Sequence, residues 1–513
     1  MTEDLTRRRL FGLAGATALG AAGLGVAGCG FGSAGSAATL ATTDASDGPG
    51  FVTHPHFTPP QYSVRNYGLN DSKYIFLNAP YSGPGHGGTY IIDVHGHLVW
   101  FGPNTATEHR MDFNCQTYQG KPVLTWWEGL VVEGFGKGHG VIADSSYKQI
   151  ATVSAVNTPG KPDIMVDLHE FNLTSRGTAF VTAYRTYHDA SVNLSGVRGP
   201  ATGGYLLSGV AQEIDIATGD LVHEWDSWKD GVALTETYEA LGGGDGGYGT
   251  KAKPFNYFHI NSIADWDEGH WLISGRNTWT VYLVNKASKQ IVWRMHGKKN
   301  NFKLGPGVPF YWQHHVRPHS IVPNSGGLVT VFDNGAAPAK ETNSRGLVLH
   351  VDTKAKTVTL HKQYTHPGVL AGAMGSAQLL SDGMFIGWGT VPRFSQYTAD
   401  HKLLLDGTMI KGSPSYRAFT LPWTGTPAGL PLAAARHRTG GATVYASWNG
   451  STEAHSWAVY AGKTAGSLAE VGTAPKTGFE TAIEVKNTGP YFAVQALNAK
   501  GTALAKSAPV KIS

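Results

Sequence analysis

The sequence predicts an all-β protein: a six-bladed β-propeller followed by a small β-sandwich. Three observations carry that prediction. Gly and Pro supply 67 and 26 of the 513 residues, so turns are frequent. Hydrophobic residues make up 41% and aromatic residues 11%, which suits a large core and excludes disorder for the bulk of the chain. A hairpin pattern also recurs through the middle of the chain, in about six units spaced roughly 50–70 residues apart. A long twisted sandwich is the alternative arrangement. Only 15% of residues are charged, and a net charge of +4 over this length is no nucleic-acid footprint.

The N-terminus comes first in the chain. Thr6-Arg7-Arg8-Arg9-Leu10-Phe11 precedes an uncharged Gly, Ala and Leu stretch ending at Gly28. A basic start followed by an apolar run and small residues makes an export signal. The paired arginines resemble a twin-arginine signal, with an ordinary Sec signal as the alternative. Val26-Ala27-Gly28-Cys29 resembles a bacterial lipobox, in which Cys29 is acylated and becomes the mature N-terminus; the alternative is a cleavage site that contains Cys. Residues 1–29 are thus read as a lipoprotein signal and 30–55, rich in Gly, Ser, Ala and Thr, as a flexible linker. The expected location is the extracytoplasmic face of the bacterial cell membrane, lipid-anchored or else secreted. Lipidation of Cys29 leaves Cys115 as an unpaired, buried thiol, and two cysteines are too few for thiolate-rich structural zinc.

Residues 56–425 carry the repeat. Alternating apolar residues lead to an Asp or Asn, a polar turn, and a β-rich run often ending in Trp. Copies run from Tyr90 through Asp93 to Trp100, from Ala211 through Asp215 to Trp225, from Val281 through Asn285 to Trp293, and from Leu347 through Asp352 to Leu360. Weaker copies are 141–150 and 394–403. Period-two alternation around a short polar turn is a hairpin signature. A second hairpin alternates with it, at 169–181, 259–274, 319–332 and 376–388. Two hairpins make one four-stranded unit, and one mouth of a propeller channel is the natural small-molecule site.

After Pro422-Trp423 the texture changes. Residues 426–440 read as a linker, and 441–513 as a fibronectin type III or immunoglobulin-like β-sandwich built from short alternating strands such as 443–448 and 491–496. No chemistry is assigned to it.

His169, His259 and His319 all begin the second hairpin, and equivalent positions of successive blades surround one axis. Each alone is an ordinary structural histidine; three at matched positions point to a site. Local context adds Asn261 beside His259, Arg276 closing the same hairpin, and the cluster Trp312-Gln313-His314-His315-Val316-Arg317. Asp333, Asn334 and Arg345 follow, although Asn334-Gly335 is also a strong turn signal and Arg317 and Arg345 also suit structural ion pairs. Histidine serves as acid, base or nucleophile near neutral pH, and arginine offers a fork for a tetrahedral oxyanion. Trp126, Trp127, Tyr257, Trp312 and Trp388 offer flat apolar walls to an aromatic substrate. No P-loop or dinucleotide fingerprint is present, so no cofactor is expected. No metal is assigned, and a His-rich metal centre is the competing reading.

Several words in order resemble the arylsulfotransferase family. They are Thr125-Trp126-Trp127-Glu128-Gly129, Asp167-Leu168-His169-Glu170, Gln212-Glu213-Ile214-Asp215, His259-Ile260-Asn261-Ser262, Gln313-His314, Phe332-Asp333-Asn334-Gly335, Ser344-Arg345-Gly346 and Ser415-Tyr416-Arg417-Ala418-Phe419 with Pro422-Trp423. The likeness spans roughly residues 60–425 and is greatest to an actinobacterial-type branch. It implies a six-bladed propeller that moves a sulfuryl group from a phenolic sulfate ester to a phenolic acceptor without a nucleotide donor. The implied route is ping-pong through a sulfohistidine, with a second histidine protonating the departing phenoxide. The resemblance places His259, His314 and Arg345 at catalytic positions, with Arg317 and His319 beside them. It leaves Asn261, Arg276, His169, Trp312 and Asn334 to hold substrate. The family's covalent histidine falls in the last full blade, where this chain has Met374-Gly375-Ser376-Ala377-Gln378. His314 or His319 then takes its place; His366, before Pro367, reads as a loop residue. The alternative function is a lipid-anchored propeller that binds a ligand or partner without catalysis.

Overall fold

In the computed structural model the described residues are 42–44 and 50–513, apart from 71, 80–86, 133, 200–202, 243–246, 337, 411–413 and 488. The expected signal and its Cys29 lie outside them. Among the described residues, every regular element except the single 3₁₀ turn Leu234–Glu236 is a β-strand. The strands form antiparallel meanders of four, at 109–153, 166–226, 260–295, 314–365 and 376–410. One more, at 74–103, takes its first strand, Phe419–Leu421, from far along the chain. The 109–153 and 166–226 meanders share one sheet through the pair Val166 and Gly138.

The hairpin repeat has a local cause. At its turn the Asp or Asn side chain accepts backbone N–H groups two to four residues on, closing an Asx turn. Asp93 Oδ1 accepts from His95 and His97, Asp215 Oδ1 from Ala217 and Thr218, Asn285 Oδ1 from Ser288, and Asp352 Oδ1 from Lys354 and Ala355. The closing tryptophans Trp100, Trp225 and Trp293 are buried between neighbouring meanders.

Each apolar core is shared by two meanders. Phe76 and Ile91 pack with Phe113 and Trp126. Ile142 packs with Phe171, Trp225 with Ile273, Leu283 with Val331, and Val348 with Ile386. The series returns to its start where Ile75 and Ile92 pack with Phe385 and Leu405.

The first strands of successive meanders are laced together by side chain–backbone hydrogen bonds. Asp112 accepts from Phe171 N, Glu170 from Ile263 N, Ser262 Oγ from Val316 N, and His315 Nδ1 from Ala377 N. Gln378 accepts from Thr420 N and donates to its carbonyl. Arg417 then reaches back to Asp112 at 2.9 Å.

The C-terminal residues form two further sheets around one core of Val444, Trp457, Ile483 and Phe492. Strand Leu432–Arg438 belongs to the first of these, within the 426–440 segment read as a linker: Ala435 is buried while Arg436 and His437 face outward. Strand Thr42–Asp44, within the 30–55 linker, pairs with Glu480–Val485 of the same sheet. Asn449 exchanges two hydrogen bonds with the backbone of Phe101, and Tyr147 donates to the carbonyl of Gly450. Glu480 accepts from the N–H groups of Val52 and Thr53. No helix among the described residues is long and apolar enough to cross a membrane. Cys115 is half-buried and unpaired, and burial pushes its thiol up to about 12.

Candidate active site

The strands that meet at the centre are entered through residues in the left-handed region: His259 (φ 53°), Trp312 (φ 51°) and Met374 (φ 63°). Non-glycine residues hold such angles only where their surroundings fix them, and they collect at functional sites. His259 itself and Trp312, two residues before His314, so bring two imidazoles beside His169, and Met374 brings its N–H to His314. Nε2 of His259 lies 3.2 Å from Nε2 of His169, and the His169 and His314 rings are 6.5 Å apart at their centroids. The relative exposures of His169, His259 and His314 are 3%, 4% and 2%, so these imidazoles are effectively removed from water.

Each ring is oriented from behind. His169 Nδ1 is 2.6 Å from Asp167 Oδ2. His259 donates its backbone N–H to Asn256 Oδ1, while Asn256 Nδ2 is 3.1 Å from the ring Nδ1. His314 Nδ1 is 2.6 Å from Asn334 Oδ1 and 3.1 Å from the carbonyl of Trp312. Asn334 donates through Nδ2 to the carbonyls of Ala371 and Met374, which fixes its amide with the oxygen toward His314. His314 Nδ1 therefore carries the proton, and Nε2 keeps its lone pair, accepting from Met374 N–H at 3.3 Å.

Burial drives the pKa of His259 well below the usual imidazole value, helped by His169, Arg276 and His314. His314 is depressed by burial and then by Arg276 and His169. Both are neutral at pH 7, as a nucleophilic nitrogen must be. Arg276 is buried beside them, donating through Nη1 to Asn277 Oδ1 and through Nη2 to the carbonyl of Gly372. Trp312 stands against Trp279, with ring centroids 4.7 Å apart, and Trp279 stacks on Tyr238 at 3.6 Å. The rings of Tyr184 and Tyr416 flank His169.

The structure thus gathers His169, His259, His314, Asn334, Arg276 and Trp312. The other sequence candidates lie elsewhere. Arg345 is held by Asp333, with Nε 2.9 Å and Nη2 2.6 Å from Oδ2, and by Glu341 at 3.1 Å, as a structural ion pair. Arg317 pairs with Glu170 at 2.7 Å. His319 hydrogen-bonds Thr330, and burial with Arg317 lowers it to about 4. Asn261 donates to the carbonyl of Gln313. His366 meets Arg393 and Asp406 instead of the imidazoles.

Of the five aromatic walls, only Trp312 is at the site. Trp126, Trp127, Tyr257 and Trp388 sit in the cores between meanders, where flat apolar rings fill volume. Sequence reasoning missed Asp167 and Asn256 as orienting groups; their spacings of two and three residues from a histidine were the available signal. Among the described residues, no group of three or more His, Cys, Asp or Glu side chains is arranged to hold a metal ion. Two open recesses of about 270 and 390 Å³ lie beside Lys161 and Lys286 and beside Val153 and Ile214, and no imidazole of the cluster lines either.

A family model described as Arylsulfotransferase (ASST) matches residues 114–410, a span that includes all three imidazoles. No curated protein matches the sequence. Among solved structures, a protein of unknown function from Bacteroides caccae is similar over 68% of this chain and 99% of its own, at 9% identity and a TM-score of 0.40. A functionally unknown protein from Desulfotomaculum acetoxidans is similar over 69% and 89%, at 13% identity and a TM-score of 0.32. The WD40 domain of Toxoplasma gondii coronin is similar over 70% and 74%, at 9% identity and a TM-score of 0.31.

Proposed function

This chain belongs to the arylsulfotransferase family, and on that premise we propose that it transfers a sulfuryl group from a phenolic sulfate ester to a phenolic acceptor, with His314 as the nucleophile. The observation that carries this reading is the hydrogen bond of His314 Nδ1 to Asn334, which leaves the Nε2 lone pair on a buried, neutral ring. That ring stands beside His169, His259 and Arg276. As its contact with Met374 N–H opens, His314 Nε2 forms a bond to sulfur while the S–O bond to the aryl group breaks, and the electron pair leaves with the phenoxide. An acceptor phenol oxygen then attacks sulfur, and the N–S pair returns to Nε2. Arg276 faces the charge that redistributes over the sulfuryl oxygens. Met374, where the family's covalent histidine is expected, supplies the N–H that meets His314 instead.

The meanders are read as six blades of one propeller, on the strength of the shared cores and the lacing of first strands that returns from Arg417 to Asp112. The C-terminal sheets are read as a fibronectin type III-like sandwich. The N-terminus is read as a twin-arginine lipoprotein signal acylated at Cys29, placing the protein on the outer face of the cell membrane.

The test is transfer from a chromogenic aryl sulfate to phenol without nucleotide, with intact-mass analysis for a sulfuryl adduct. His314→Ala abolishes adduct and transfer, and His259→Ala abolishes transfer. Unchanged rates in both variants overturn the reading. Near-complete burial of the imidazoles favours a second reading, a lipid-anchored propeller that binds a ligand without turnover. Ligand binding with no turnover of any donor would select it.

A further inference from the structure

Asp167 is fully buried, and its carboxylate is surrounded by donors. Oδ1 accepts from Gly136 N–H at 2.6 Å; Oδ2 accepts from the backbone N–H of His169 at 3.1 Å and from Thr182 Oγ1 at 3.1 Å, and lies 2.6 Å from His169 Nδ1. Thr182 Oγ1 in turn accepts from Glu170 N–H, so its own proton is available to the carboxylate. A carboxylate that accepts from every side requires a proton on His169 Nδ1. His169 Nε2 is then the acceptor, and it faces His259.

The other end of the chain fixes the same direction. The amide of Asn256 is oriented by the backbone N–H of His259, so its Nδ2 donates to His259 Nδ1. The proton of His259 consequently sits on Nε2 and is donated to His169 Nε2. Asn256, His259, His169 and Asp167 form one relay in which every donor has its acceptor. Of the two facing rings, only His169 has a carboxylate on its far nitrogen.

We propose that Asp167 is a positioning residue for sulfuryl transfer, and that His169, not His259, takes the proton of the acceptor phenol in the second half-reaction. The inference rests on the sulfuryl-transfer reading above. In the second half-reaction the acceptor oxygen bonds to sulfur, the N–S pair returns to His314, and the phenolic proton passes to His169 Nε2. The imidazolium so formed is paired with the Asp167 carboxylate. That proton leaves to solvent before the next cycle, which returns His169 to the neutral Nδ1–H form; the first half-reaction releases the aryl group as phenoxide. The two Nε2 atoms are in contact at 3.2 Å, so the rings part for the phenolic oxygen to accept from His259 Nε2–H and give its proton to His169.

The experiment uses the full chain labelled with ¹⁵N-histidine, with ring signals assigned by His169→Gln. The native protein shows His169 as the Nδ1–H tautomer. Asp167→Asn loses that single tautomer and lowers kcat by about 10³-fold or more, with the donor KM within a few-fold. Thr182→Val, which removes one donor from the carboxylate, lowers kcat about tenfold. An Nε2–H tautomer at His169 in the native protein overturns the proposal, even if Asp167→Asn does not fold. Lost tautomer with kcat unchanged in Asp167→Asn overturns it too. If the native protein transfers no sulfuryl group, the reading of the reaction fails, while the tautomer still decides whether Asp167 orients His169.

Discussion

Arg417 Nη1 donates to Asp112 Oδ1 at 2.9 Å across 305 positions of sequence, and the same nitrogen lies 3.0 Å from Glu170 Oε1. All three side chains are buried. Burial alone would raise the pKa of Glu170, but Arg317 and Arg417 outweigh it and hold the carboxyl below its usual range. One guanidinium therefore ties a late segment of the chain to the first strands of two earlier meanders. Arg417→Met leaves the buried Asp112 carboxylate without its hydrogen-bonded cation, with Glu170 held by Arg317 alone, and is expected to destabilise the fold by about 3–5 kcal/mol. Urea denaturation with an unchanged midpoint would show that the ends are held some other way.

Asn334 sets the tautomer of His314 and, through Met374, the backbone beside it. Asn334→Ala removes the 2.6 Å partner of His314 Nδ1, leaving only the Trp312 carbonyl at 3.1 Å, and frees the Met374 backbone, with Arg276 and the aromatic residues in place. The expected result is a kcat lowered by about 10²-fold with little change in donor KM, since the reactive nitrogen is misaimed rather than lost. A larger change in KM than in kcat would mean that Asn334 holds substrate and does not aim the ring.

Gly375 follows Met374 with φ +103°, and a Cβ there would lie 2.2 Å from the Phe332 ring. Phe332 is itself packed under Trp388, so it has no room to turn aside. Gly375→Ala is expected to cost about 2 kcal/mol or more and to draw Met374 N–H away from His314. The midpoint of thermal denaturation should fall in this variant; native stability would show that the turn tolerates a side chain.

The hairpins were legible because their chemistry is local: an Asp or Asn at a turn accepts the N–H groups that follow it, as Asp215 does. The histidines were legible at one remove, since matched positions in a repeat share an axis, and His169 and His259 do meet. His319 occupies a matched position too, but it sits five residues after His314 on the same strand and its ring turns to Thr330. Arg345 is ambiguous in sequence, and in the structure it lies directly opposite Asp333 on the adjacent strand. The partners of Arg417 lie hundreds of residues away, and no spacing rule reaches them. Composition does not separate a ring that fills a core, such as Trp127, from one beside a site, such as Trp312. Strand Leu432–Arg438 escaped notice because its Ala-rich alternation is weak and it follows a Gly/Pro-rich stretch.

Neutral buried histidines set the acid response of the fold. His259, His314 and His315 are depressed well below 6.5, chiefly by burial, and His319 to about 4. Below pH 6.5 the unfolded chain binds protons at these rings while the folded chain does not. Stability is therefore full above 6.5 and falls as pH drops toward the folded-state values, by up to about 1.4 kcal/mol per pH unit for each ring. His319→Gln removes one such ring away from the imidazole cluster. The slope of unfolding free energy against pH between 6 and 5 should become shallower by about that amount. Denaturant titrations at pH 7.5, 6 and 5 measure it; an unchanged slope would mean that His319 takes up its proton without unfolding.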